Sequence, residues 1–395
     1  MEVLHIIPAQ TGNITEFLRM AEKEFDLGQH KFMTLVARRT VIRFCPELLA
    51  FPFVDNFVPF GGSFRRLKDY LALRRRLKKA DRIIWHSLSI DRGSFVLLLF
   101  LNPDLCRKSV WIESGADEEI WDQYPGRIKN RINNFLQRAI RRRIPVVGLS
   151  SPANRTYVLS LWPKKQLFDC PYPINEAYLP MAEGVDREAK RQALEDVLRR
   201  IEAGDDTIDR KSFPYIQIGL SSSSMNRHDL VLGKLEAFRD APLNVCVPLS
   251  FRLEKLSVPQ GSGSYAIALK TLAASRSHNL VLMSGSMRPD SFSRYLSHLY
   301  AVMLGETVSF GYSYLLILLA AGVKIYLPES SCTYRFLSER NVLVSRLESV
   351  PELSLEDFLR AGPAAELPAF VAAGFDRRHT AGLWSKLFQS IEKKA

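Results

Sequence analysis

Residues 304–328 read LGETVSFGYSYLLILLAAGVKIYLP. A polar loop carrying Glu306, Ser309, Gly311 and Ser313 leads into an apolar helix over Ser313–Ala321, and Gly322 separates that helix from an apolar strand over Val323–Leu327. Gly322 and Lys324 interrupt the run, which argues against a membrane span of about 20 apolar residues. A helix and a strand that are both apolar all round belong inside an α/β layer structure, where helices cover a parallel sheet.

The same alternation extends outward from this stretch. In the first half, strands are predicted over Val3–Ile7, Phe32–Val36, Arg82–His86, Ser109–Ile112 and Val146–Ser150. Between them lie helices over Ile14–Phe25, Phe64–Lys79, Phe95–Phe100 and Arg127–Arg143, punctuated by Pro8, Gly61-Gly62, Asn102-Pro103 and Pro125-Gly126. The second half has strands over Tyr215–Ile218, Leu243–Pro248, Leu280–Met283 and Val323–Leu327. Its helices are predicted over His228–Arg239, Ser264–Ala274, Ser291–Leu304 and Ser313–Ala321. The division predicted is an α/β domain over 1–170, a connector with a charged helix over 171–212, a second α/β domain over 213–375, and a docked helix over 376–395. That last helix carries Leu383, Trp384, Leu387, Phe388 and Ile391 on one face. Two such α/β halves are expected to bind ligands in a cleft, on loops that follow strands.

The chain has 395 residues, 47% of them hydrophobic, and a formal net charge of +12. Between Phe60 and Pro145 there are 19 Lys/Arg against 9 Asp/Glu, which places most of the excess there. Two runs carry it, RRLKDYLALRRRLKKADR and RIKNRINNFLQRAIRRR. In the second, Ile128, Ile132, Phe135, Leu136, Ala139 and Ile140 follow helical spacing, with Arg and Lys at other positions. Such a helix either packs its apolar face on the core and leaves a solvated basic face, or lies on an anionic membrane surface. Few aromatic residues interleave with the charge, so no nucleic-acid partner is expected. Five scattered cysteines without a CxxC pair fit free thiols in a reducing compartment and no structural zinc. MEVLHIIPAQTGN reads as a strand and a loop, not as a secretory signal.

Candidate site residues fall on the loops. In IQIGLSSSSMNRHDLVLGKL (216–235) a strand meets Gly219, then Ser221 and Ser222, then Asn226, Arg227 and His228 as a helix opens. Glycine admits a ligand close to the backbone, and free N–H groups at a helix start suit a phosphate. The 304–313 loop is of the same kind, with small residues at a helix N-terminus and the acidic Glu306 beside them. Gln10, Thr11, Gly12 and Asn13 follow the first strand and read either as an ordinary strand-to-helix turn or as a substrate contact. His86 ends the strand IIWHS and is a catalytic candidate; the other histidines show no metal-ligand spacing. Finally, WIESGADEEIWD (111–122) puts Glu113, Asp117, Glu118, Glu119 and Asp122 in a basic neighbourhood. That reads either as an acidic helix start or as a carboxylate kept for chemistry.

The order Trp111, Gly115, Ala116, Asp117 (WxxxGAD) after a strand resembles the TDP-N-acetylfucosamine:lipid II N-acetylfucosaminyltransferases, glycosyltransferase family 56. The Gly-x-Ser loop reaching Asn226 and His228, the Val247-Pro248 strand, and Gly311 ahead of LLILLAAGVKIYLP keep the same order. The resemblance spans most of residues 80–330. It implies a GT-B fold, two Rossmann-like domains facing each other across a cleft with the C-terminal helix docked back. It also implies a nucleotide-sugar donor, a lipid-linked glycan acceptor on undecaprenyl diphosphate, and a cytoplasmic site peripherally associated with the inner membrane. Asp117 matches the acidic residue of WxxxGAD, with Glu113 its rival as catalytic base; Ser221, Asn226 and His228 match the second-domain loop. No cofactor and no metal are expected, because helix dipoles and cations such as Arg227 or Lys324 can stabilise a leaving diphosphate. The donor sugar expected by family default is an acetamido-deoxyhexose. Two alternatives share the fold: a nucleotide-sugar 2-epimerase and a non-enzymatic membrane-bound scaffold.

Overall fold

Five short apolar strands of the first half, VLHII, HKFMT, RIIW, SVWIE and VVGL, are buried along almost their whole length, as strands covered on both faces must be. They are β1 (Val3–Ile7), β2 (His30–Thr34), β4 (Arg82–Trp85), β5 (Ser109–Glu113) and β6 (Val146–Leu149), with short edge strands β3 (Val54–Asn56) and β7 (Gln166–Asp169). The sheet order is β3-β2-β1-β4-β5-β6-β7, and all pairings are parallel. The computed structural model describes residues 1–7, 12–35, 46–57, 65–88, 93–113, 128–205, 207–220, 226–249, 279–284, 289–309, 311–360 and 369–393.

The second sheet has the order β10-β9-β8-β11-β12-β13 and is also parallel throughout. Its strands are β8 (Tyr215–Ile218), β9 (Asn244–Leu249), β10 (Asn279–Ser284), β11 (Leu299–Met303), β12 (Lys324–Leu327) and β13 (Ser345–Arg346). The chain accordingly divides into two compact units, Met1–Ile174 with Ala373–Ala395, and Asn175–Ala372.

Strand β11 corrects the sequence reading. Ser291–Leu304 was expected to be one helix, but the helix covers Pro289–His298 and Leu299–Met303 is a central strand. No turn residue separates the two, and a five-residue apolar run fits either period. The helix expected over Ser264–Ala274 lies outside the described residues. The strands β3, β7 and β13 were not expected, being too short to carry a periodic signal.

The helix Arg377–Glu392 belongs to the first unit. Asp376 caps it, accepting from the backbone N–H groups of Arg378 and His379, and Ala381, Trp384, Leu387, Phe388 and Ile391 are buried. Trp384 Nε1 donates to the Pro171 carbonyl at 2.9 Å, and its ring stacks on His86 at a centroid distance of 5.5 Å. The docked C-terminal helix is as expected and lies within 376–395.

A second correction concerns the helix Ile128–Arg143. Its apolar stripe was read as the core-facing side in the packed alternative. The stripe divides: Ile140 is buried and Leu136 packs on the core as expected, while Ile132 (55%) and Phe135 (66%) are exposed and the polar Gln137 and Arg141 are buried. The Arg141 guanidinium lies over the Trp111 ring, 5.0 Å from its centroid, and donates to Gln137 Oε1 at 3.1 Å. A cation stacked on a buried indole and hydrogen-bonded at its edge can occupy a core position that charge alone would forbid. Lys165 closes the helix's C-terminal end, donating to the carbonyls of Arg141, Arg142 and Ile144.

Candidate functional site

In the second sheet the strand order reverses at the β8/β11 pair. Chain leaving β8 goes to one side of the sheet and chain leaving β11 to the other, so the loops after these two strands part and leave a crevice. Both loops were singled out from sequence, but the reversal itself was invisible without β11.

The two loops are packed on each other through glycines. Gly219 (φ 69°) and Gly311 (φ 79°) occupy the left-handed region that L side chains rarely adopt. At Gly305, a Cβ would lie 2.6 Å from the Asn226 carbonyl oxygen and 3.0 Å from the Arg227 Cβ, so backbone meets backbone there. A Cβ on Gly311 would reach 2.9 Å from Leu220 Cδ1. Asn226 is buried and its Oδ1 accepts from the Leu220 N–H at 2.8 Å, bracing the loop across six residues. His228 is buried behind Gly219, where a Cβ would lie 2.5 Å from its Nε2. Burial pushes its pKa down to about 4, so the ring is neutral at physiological pH. Arg227 stands between these two with φ 44° and an exposed side chain.

On the β11 side, Glu306 and Ser309 are buried, and Glu306 accepts from Thr333 Oγ1 at 3.2 Å. Gly311 ends the loop, and its carbonyl takes the N–H of Tyr314 as the helix Tyr312–Ala320 begins. Ser313, half-buried, is in that helix's first turn, and no side chain caps it. Ser221 and Ser222 lie outside the described residues. Among the described donor-side candidates, the buried ones build the loops, while the loop backbones, Arg227 and the helix start are the groups left to meet a ligand.

Sequence reasoning missed the group that joins these parts. Gln217, in the middle of β8, accepts from Tyr295 Oη at 2.8 Å and Tyr314 Oη at 2.9 Å, and donates to the Gly219 carbonyl at 2.8 Å. One amide thereby ties the strand to two helices and to the glycine turn. Burial raises the pKa of both phenols, keeping them protonated as donors. A polar residue inside the apolar strand YIQI was the available signal. Gly305, beside the quoted Glu306, was missed because close approach leaves no mark on composition. Lys324 is a correction: it is the first residue of β12, at the end of the strand opposite these loops, and donates to the Asp357 carbonyl.

In the first unit the strand order reverses at β1/β4. Gln10 and Thr11 lie outside the described residues, and Gly12 and Asn13 form the first turn of the helix Gly12–Glu24 rather than a loop before it. Asp117 also lies outside the described residues. Glu113 ends β5 fully buried, and its Oε2 accepts from Asn154 Nδ2 at 3.0 Å. His86 is buried with both ring nitrogens engaged, Nε2 at 3.0 Å from His5 Nδ1 and Nδ1 at 3.0 Å from Tyr172 Oη. The chain continues from His5 Nε2 to His30 Nδ1, again at 3.0 Å. Burial lowers all three pKa values, to about 4 for His30 and about 3 for His86, which makes this a neutral core relay of hydrogen bonds. That arrangement gives His86 a structural place in the core rather than the position at a ligand cleft expected of it.

Neither a protein-family model nor a curated protein matches the sequence. Solved structures do match along the whole chain. A glycosyltransferase from Rickettsia africae superposes with a TM-score of 0.57 at 11% identity, over 100% of this chain and 99% of that one. Anabaena Alr3699/HepE in complex with UDP and glucose gives 0.63 at 10% identity, over 99% and 100%. A UDP-forming α,α-trehalose-phosphate synthase from Burkholderia xenovorans gives 0.57 at 10%, over 99% and 98%. The fold is GT-B. At such identities the likeness establishes the architecture alone. Within a GT-B chain, the glycine-packed loops after β8 and β11 sit at the switch point of the second Rossmann-like sheet, the place where this architecture leaves room for a ligand.

Proposed function

We propose that the chain is a glycosyltransferase that moves a sugar from a nucleotide-diphosphate donor to a lipid-linked glycan. The observation that carries this reading is the switch-point pair of loops: left-handed glycines at 219 and 311, and Gly305 pressed on Asn226. Together they bring two stretches of bare backbone and an uncapped helix start to one crevice. Backbone N–H groups fixed in this way stabilise a leaving diphosphate without having to reorganise during reaction. Arg227, exposed beside them, adds positive charge. The neighbours solved with UDP or a UDP-sugar support a nucleotide-sugar donor.

The acceptor side rests on the WxxxGAD resemblance. In this reading Asp117 takes the proton from the acceptor hydroxyl as that oxygen attacks the anomeric carbon, and the nucleoside diphosphate departs. Glu113, the rival base, is buried and accepts from Asn154. No metal is required in this scheme. The acetamido-deoxyhexose donor and the undecaprenyl-diphosphate carrier follow the resemblance, and the basic helices of 64–82 and 127–143 face the inner membrane in it.

A thermal-shift series with UDP, TDP, GDP and CMP tests the donor site. Nucleotide at about 100 times its dissociation constant stabilises the native state by about 2.7 kcal/mol. A shift with one nucleotide that Arg227→Gln weakens supports the reading; no shift with any sinks it. Asp117→Asn should then abolish turnover while leaving that shift intact. A donor consumed without acceptor would identify an epimerase instead.

A further inference from the structure

We infer that the outer face made by the helices Ile128–Arg143 and Gly93–Leu101 inserts into an anionic lipid bilayer. This deepens the membrane part of the proposed function and rests on it for its purpose, while the surface is argued from its own geometry.

The helix Ile128–Arg143 is apolar on two sides: Ile140 and the half-buried Leu136 pack toward the core, while a second apolar stripe faces out. It also buries Arg141 and Gln137, bonded to each other with the guanidinium over Trp111, and presents Ile132 and Phe135 to solvent. At 100° per residue these two are about 60° apart on the side away from Gln137 and Arg141, so they form one stripe. The helix Gly93–Leu101 (GSFVLLLFL) packs along it and contains no charged residue. It buries Leu98 and Leu99 and exposes Leu97 (44%) and Leu101 (59%). Arg143 ties the two helices together, donating to the Phe100 carbonyl at 2.7 Å with its guanidinium over the Phe100 ring. Large apolar side chains on two adjoining helices make a patch, where single exposed ones would need no explanation.

The charge at the patch selects its occupant. Arg131, Arg138 and Arg142 are exposed along one flank of the stripe, and the helix has no acidic residue. A second copy of this chain would set these arginines against their own kind. Phosphate headgroups over an acyl layer offer both what the rim and the stripe require.

The test is sedimentation with vesicles of phosphatidylglycerol and phosphatidylcholine, against pure phosphatidylcholine. Wild type should bind the anionic vesicles, and the double variant Ile132→Ser, Phe135→Ser should bind about tenfold more weakly, with Leu97→Ser, Leu101→Ser losing a similar factor. Arg138→Gln, Arg142→Gln should lower binding and its salt sensitivity together. Phe135→Trp, quenched by lipids brominated on their acyl chains, separates insertion from adhesion to headgroups. Absence of vesicle binding, unchanged binding in the serine variants, or an unquenched Trp at position 135 would each overturn the inference. So would a dimer of the wild type that Phe135→Ser dissociates. Nucleotide-induced thermal shifts measured on the same variants keep the readings apart: the donor site can fail with vesicle binding intact, and the reverse.

Discussion

The Gly305 α-carbon faces the Asn226 backbone so closely that a methyl group would stand 2.6 Å from its carbonyl oxygen. Backbone cannot swing aside as a flexible side chain can, so Gly305→Ala must part the two switch-point loops. The expected cost is about 1–3 kcal/mol of stability, with nucleotide binding weakened further. Gly233 and Gly382 are the controls, since each lies in a helix with no atom within 4 Å of a would-be Cβ. Alanine at either should stabilise by about 0.5–1 kcal/mol. Urea denaturation of the three variants decides the matter, and equal effects at all three would refute the packing argument.

Gln217→Leu keeps the volume of the strand residue but removes an acceptor for two phenols and a donor to Gly219. Each buried group left without a partner costs about 1–3 kcal/mol. Adding Tyr295→Phe and Tyr314→Phe should recover a large part of that loss, because the stranded hydroxyls go with it. A triple variant no more stable than the single one would show that the amide does not organise the site.

The histidine relay sets an acid limit on the first unit. His5, His30 and His86 have folded pKa values below the usual 6.5, mainly through burial. Below about pH 6.5 the unfolded chain therefore binds more protons than the folded one. Stability should be full above that pH and fall as pH drops, by about 1.4 kcal/mol per pH unit for each histidine, down to the folded values. Urea midpoints between pH 7.5 and 4.5 measure the slope, and replacing His30 with Phe should flatten it. A midpoint independent of pH over this range would contradict the assignment.

Trp384→Ala should cost about 3–5 kcal/mol, as it removes a buried indole packed on Phe17 and His86 and its hydrogen bond to Pro171. The loss belongs to the first unit. Calorimetry should show one transition moved down and the other, from Asn175–Ala372, left in place.

The architecture was legible because apolar strands and helices alternate with glycine and proline between them; Val3–Ile7 and Tyr215–Ile218 match to the residue. What escaped notice shares one cause, that tertiary neighbours decide it. Leu299–Met303 is a strand because β8 and β12 flank it, not because its own composition differs from a helix end. Arg141 is buried because Trp111 lies under it, and no periodicity in the helix itself reveals an indole on the adjoining strand. The donor-side loops were found, but the roles inside them were not. Asn226, His228 and Glu306 look like ligand groups in sequence and are buried in the structure, because a loop that offers its backbone needs polar side chains to hold it from behind.

The first unit is completed by a helix encoded on the far side of the second. Residues 377–392 leave the ribosome only after the whole of 175–372, so β1, β2 and β4 must wait with the seat of Trp384 and Phe388 open while another domain is synthesised. Domains generally fold as units during synthesis. The later-encoded domain is therefore free to fold before the earlier one can finish, and the nascent chain carries an apolar surface through that interval which chaperones have reason to cover.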